Sequence, residues 1–193
     1  MRNIEIVETV IFLIGMILYI RYFIVTDSIP HPVAFGIWLI ADVINFITYV
    51  GFSKFWIAPA LMPLTALIIV IIGIVKIKQT HREQLKTLDW VCIGIGIISL
   101  FVWVITQNAL WSNMIIQIMM ALGFVPIIGN LFNKKGEPLF PWFVFIVGWI
   151  ITCVDVSMGC VSFFELIYPL INGLLGSSII FIGSWIVIRQ NAK

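Results

Sequence analysis

Long apolar runs alternate along this chain with short breaks of polar, proline or glycine residues, the pattern of successive buried helices rather than of strands. Seven runs are predicted as helices, over residues 4–24, 33–52, 55–76, 88–106, 109–132, 139–157 and 166–188. A bilayer crossing takes about 20 apolar residues, so seven crossings nearly exhaust the 193 residues and leave only short connections. Polar side chains interrupt four of these runs well inside their ends: Asp42 and Asn45, Gln117, Thr152 and Asp155, and Asn172.

Composition agrees with the pattern. Hydrophobic residues make up 62%, charged residues only 10%, and mean hydropathy is +1.14, so a soluble domain would have nowhere to hide its apolar surface. A net charge of +2 is too small to imply a nucleic-acid partner; the partner that the apolar composition implies is the lipid bilayer. The basic residues set orientation instead. Arg21, Lys76, Lys78, Arg82, Lys86, Lys134, Lys135, Arg189 and Lys193 follow odd-numbered runs, whereas only Arg2 and Lys54 lie on the other side. By the positive-inside rule the N-terminus is expected outside and the C-terminus in the cytoplasm. Trp56, Trp90, Trp111 and Trp142 fall near run ends, where interfacial aromatics anchor. No small-residue cleavage site follows the first run, which is expected to be a retained helix.

Two segments read as one three-helix unit written twice. Pro32 pairs with Pro141, Pro59 with Pro169 and Gly73 with Gly183, about 110 residues apart. The expected plan is 3+1+3: a first bundle over 1–78, a linker helix within 79–108 and a second bundle over 109–193. An odd linker makes both triples begin outside and end inside, so the repeats are parallel, the arrangement in which carriers place a solute site near mid-membrane.

The chemistry-bearing residues follow the repeat. Trp38, Asp42 and Asn45 share a helical face by their spacing. Thr152 and Asp155 stand 110 residues beyond Asp42 and Asn45, with Trp149 just ahead of them. A carboxylate at bilayer depth is costly unless protonated, paired or hydrated, so Asp42 and Asp155 are candidates for proton or cation coupling. The plainer reading is a neutral Asp42 bonded to a neighbouring helix or to Thr48. Gln117, near Asn113, either lines a cavity or bonds between helices. Glu5, Glu8 and Glu165 read as anions favoured at helix N-termini, and His31, in Pro30-His31-Pro32, as a solvated loop residue.

The last run and the prolines carry a family resemblance. Asn172-Gly173-Leu174-Leu175-Gly176, Phe124-Val125-Pro126-Ile127 and the order of spans together resemble the PQ-loop (MtN3/saliva) superfamily, most closely the SWEET sugar carriers, over nearly the whole chain. The resemblance implies a solute pocket flanked by Trp149 and Asn172, with Trp38 as the first repeat's tryptophan, and hinges at Pro32, Pro126 and Pro141. This chain departs from the family pattern at Leu18, where a proline is expected, at Ile127, which replaces the glutamine, and at Met62, which stands where Asn172 has its mate. Asp42 and Asp155 are likewise atypical of simple sugar uniporters.

The function expected is transport of a small polar solute, a sugar or similar, by alternating access, with substrate-binding residues Trp38, Asn45, Trp149, Asn172 and Gln117. Proton coupling and homo-oligomerisation stay open. The alternative is a ligand-binding receptor on the same scaffold. A retinal protein is excluded by the absence of lysine within the last run. No HExxH, GxSxG or His/Asp cluster points to an enzyme, and no metal or other cofactor is expected. Cys92, Cys153 and Cys160 read as packing residues, without CxxC spacing. A bacterial inner membrane is the expected location.

Overall fold

The computed structural model describes the backbone of residues 3–52, 57–80, 87–107, 109–132, 136–159 and 163–192. Of the residues singled out above, Arg2, Lys54, Trp56, Arg82, Lys86, Lys134, Lys135, Cys160 and Lys193 lie outside this set. So do the side chains of Pro32, Thr48, Pro59, Lys78, Cys92, Trp111 and Asn113.

The protein is all-helical, with 92% helix and no strand among the described residues. The helices are α1 (Asn3–Val25), α2 (Pro32–Phe52), α3 (Ile57–Thr80), α4 (Thr87–Thr106), α5 (Ala109–Phe132), α6 (Leu139–Gly159), α7 (Phe164–Ile167) and α8 (Gly176–Asn191). A π-helical segment, π1 (Tyr168–Leu175), joins α7 to α8. Among the described residues, four stretches are long and apolar enough to cross a bilayer: Ile4–Val25, Met114–Phe132, Leu139–Gly159 and Phe164–Asn191. Val33–Ile47 and Ala60–Lys76 are shorter apolar helices. Helix is the form these sequences must take in lipid, because it satisfies every backbone N–H and C=O within one segment.

The seventh predicted run differs from expectation in kind. Residues 166–188 were expected as one regular helix, but its first half is π-helical. Pro169 has no N–H to give to the preceding turn, and the widened winding that follows is the form in which helices absorb such a defect. Gly176 closes it, its N–H reaching the carbonyls of Gly173 and Ile171.

The chain forms two compact units. The first gathers Met1–Tyr19 and Ile127–Lys193; the second is Ile20–Pro126. α1 and α5 thus each contribute to both. These units follow packing, whereas the three-helix grouping follows sequence repetition.

The core of the first unit is aromatic. Phe12 on α1 meets Trp149 edge-on at 4.8 Å and Phe145 at 6.4 Å. Tyr19 meets Trp142 at 5.5 Å, and Trp149 meets Tyr168 at 5.2 Å. Rings packed edge-to-face add attraction beyond their buried area, which matters where lipid supplies no hydrophobic drive between helices. The second unit pairs α2 with α3. After α1, the turn at Thr26–Ser28 is held by Lys76 of α3, whose Nζ donates to the carbonyls of Thr26 and Ser28.

Candidate functional site

Polar residues are buried in two clusters, one in each unit. In the second unit, Asp42 and Asn45 lie on one face of α2, 5% and 0% exposed, with half-buried Trp38 a turn ahead. Two bonds fix this face to α5. The Trp38 indole N–H donates to the Met120 carbonyl at 2.9 Å, and Gln117 Nε2 donates to Asn45 Oδ1 at 3.0 Å. Gly123 permits the first contact: a Cβ there would overlap the Trp38 indole. Rings of Phe35 and Phe124 pack edge-on against Trp38 at 5.2 and 4.8 Å. Between the two clamps sits Asp42, whose Oδ1 is buried with no hydrogen-bond partner among the described residues. Of the two readings open for Gln117, its bond to Asn45 is the interhelical one.

In the first unit, Trp149, Thr152 and Asp155 are buried along α6, Asp155 completely. The Thr152 hydroxyl donates to the Gly148 carbonyl at 3.1 Å. π1 places Asn172, 6% exposed, beside Gly173, and the Trp149 ring fills the space where a Gly173 Cβ would stand. Widening of the backbone at π1 and absence of a side chain at 173 together let the indole lie against the chain. The structure therefore brings Trp149 and Asn172 to one locality, and Trp38, Asp42, Asn45 and Gln117 to another.

Glu8 and Glu165 were expected to be helix-terminal anions, but they are 5% and 3% exposed. Glu8 lies beside Thr152 and within electrostatic reach of Asp155. The sequence held a signal for Glu8. Phe12, Met16, Tyr19 and Phe23, spaced by threes and fours, form the buried stripe of α1, and Glu8 is the next position on that stripe. His31, read as a solvated loop residue, is also buried, at 7% exposure; the compact entry to α2, where its carbonyl accepts the Phe35 N–H at 3.2 Å, encloses it.

The three hinge prolines fall in unlike places. Pro32 begins α2 and Pro141 is the third residue of α6; a first-turn proline deletes no helical hydrogen bond. Pro126 lies inside α5 and does break the ladder.

Outside the membrane-crossing stretches, Glu137 precedes α6. Its Oε2 accepts the Tyr19 hydroxyl at 2.8 Å, and its backbone N–H donates to Ser184 Oγ at 2.9 Å. Withdrawal from water raises its carboxyl to about 6 from an ordinary 4.5, against the opposing pull of the Tyr19 hydroxyl and the Trp142 indole. Among the described residues no three His, Cys, Asp or Glu are grouped to hold a metal ion.

Helices of this length and composition, with polar groups enclosed among them, define a helical membrane protein. No family model, curated protein or solved structure matches the chain.

Proposed function

We propose that the protein is a membrane carrier for a small polar solute, working by alternating access on a seven-helix scaffold of two parallel three-helix repeats and a linker. The observation that carries the reading is the enclosure of Asp42, with an unpartnered oxygen, within an apolar helix of a membrane protein. Structure alone gives no reason to keep a carboxylate there, because replacement by an apolar residue of similar size would remove its burial cost. Intramembrane ionisable residues characteristically mark solute or proton pathways.

Three further points support it. Each unit sets a tryptophan beside buried polar side chains, Trp38 with Asn45 and Gln117, Trp149 with Asn172, and an aromatic face flanked by hydrogen-bonding groups is what a small polar solute requires. The polar positions Asp42 and Asn45 have Thr152 and Asp155 as mates 110 residues on. The resemblance to the SWEET carriers names the same tryptophans and Asn172. Hinges at Pro32, Pro126 and Pro141, coupling at Asp42 and Asp155, an outside N-terminus and a bacterial inner membrane complete the reading.

The test is uptake of radiolabelled solutes by proteoliposomes holding the purified protein. Saturable uptake, reduced at least tenfold in Trp149→Ala and Asn172→Ala, is the expected result. Saturable binding of a solute without flux would replace the carrier with a receptor on the same scaffold.

A further inference from the structure

We infer that Glu137 works a proton-operated latch at one end of the first unit: protonated, it pins the α5–α6 connection to α1 and α8, and ionisation releases that connection. The latch is a device of the fold and does not depend on the carrier reading.

The connection is tied to three helices. The Tyr19 hydroxyl, from α1, donates to Glu137 Oε2 at 2.8 Å, and the Glu137 backbone N–H donates to Ser184 Oγ of α8 at 2.9 Å. Gly136 lies so close to α8 that a Cβ there would stand in van der Waals contact with Ser184 and Ile188. The Trp142 indole of α6 lies beside the Glu137 carboxyl. Both anchors belong to the packed interior, Tyr19 at 2% exposure and Ser184 at 0%. Glu137 is half-buried and is the member of the knot with a way out to water. Behind its hydroxyl, the Tyr19 ring meets Trp142 at 5.5 Å and Phe145 at 6.1 Å, edge-on. One side chain thus joins the connection to the aromatic core.

What holds the carboxyl in place depends on its proton. A carboxylate withdrawn from water is costly unless a cation or enough donors replace the water. No charged group among the described residues acts on Glu137. It faces Tyr19 from α1, Trp142 from α6 and, through its backbone, Ser184 from α8. Arg21 on α1 and Arg189 on α8 are both exposed, Arg189 over the Trp185 ring. Two neutral donors do not offset the lost water, so the carboxyl is raised from 4.5 to about 6. The closed arrangement therefore favours the acid form, and hydration of the ionised form favours release. Release becomes easier as pH rises from 4.5 and levels off above 6. An acidic medium shuts the latch; a neutral one loosens it.

Amide hydrogen exchange of the purified full-length protein in detergent provides the test, read as protection relative to the intrinsic rate at each pH. Segment 136–142 should be less protected than the middle of α6. It should lose protection about eightfold between pH 5 and 7.5, the change that linkage gives for a carboxyl moving between 4.5 and about 6. In Glu137→Gln that loss should vanish. In Tyr19→Phe, which removes a donor that favours the carboxylate, the loss should continue to higher pH. Should Glu137→Gln fail to fold, Tyr19→Phe set against the unaltered protein decides the point. Equal protection at both pH values overturns the inference, as does a loss that survives Glu137→Gln or keeps its pH range in Tyr19→Phe. So does a segment that exchanges only as fast as the middle of α6, since it would then open by global unfolding alone.

Discussion

Asn45 and Gln117 show how a polar residue survives inside an apolar helix: each spends hydrogen-bonding capacity on the other across two helices. Removing one member leaves the other enclosed without it, which costs about 1–3 kcal/mol. Gln117→Leu should therefore lower the unfolding midpoint in detergent. The double variant Asn45→Leu/Gln117→Leu should recover much of the loss, because no orphaned amide remains; a loss equal to the sum of two independent substitutions would refute the coupling. Glu137 is the residue whose titration the structure links to stability. Its carboxyl is raised from 4.5 to about 6, so the folded state favours the protonated form. Its contribution is fully present below about pH 4.5 and is lost as pH rises through 6, amounting to at most about 2 kcal/mol. Compared with Glu137→Gln, the unaltered protein should lose stability between pH 4.5 and 7, seen as a widening gap between their unfolding midpoints.

Among elements, α3, α5 and the segment from α7 to α8 carry broken ladders, with Pro63 inside α3. Pro126 withholds an N–H from the Leu122 carbonyl inside α5, while Pro169 opens π1. If α5 bends during transport, Pro126→Ala should slow uptake several-fold while leaving stability equal or higher, because the restored hydrogen bond stiffens the helix. Equal uptake in both proteins would assign Pro126 to packing. The glycine of π1 acts through space rather than backbone freedom. Gly173→Ala places a methyl where the Trp149 ring lies, and overpacking of this kind costs about 1–3 kcal/mol. Both effects belong to helices that the sequence announces by their apolar runs. Neither the π winding nor the indole against Gly173 was legible there, since hydrophobic periodicity registers which residues avoid water but not how tightly two backbones approach.

For the whole molecule, the distribution of lysine and arginine predicts an external N-terminus and a cytoplasmic C-terminus. Reporter fusions at the two ends of the intact chain should give opposite signals, periplasmic for the first and cytoplasmic for the second; the reverse pattern would invert every assignment of side. The sequence by itself determined that this is a helical membrane protein, where its principal helices lie to within a few residues, and that Asp42, Asn45, Gln117, Asp155 and Asn172 sit within apolar segments. Those features depend on local composition and spacing, which lipid reads directly because it solvates no open backbone. Tertiary structure alone decided which polar groups meet. It joined Gln117 to Asn45 across 72 residues and Trp38 to Met120 across 82. It also enclosed Glu8 beside Thr152 and left an oxygen of Asp42 without a described partner. Pairing of this kind depends on the rotation and approach of helices distant in the chain, and many such arrangements satisfy one and the same apolar pattern.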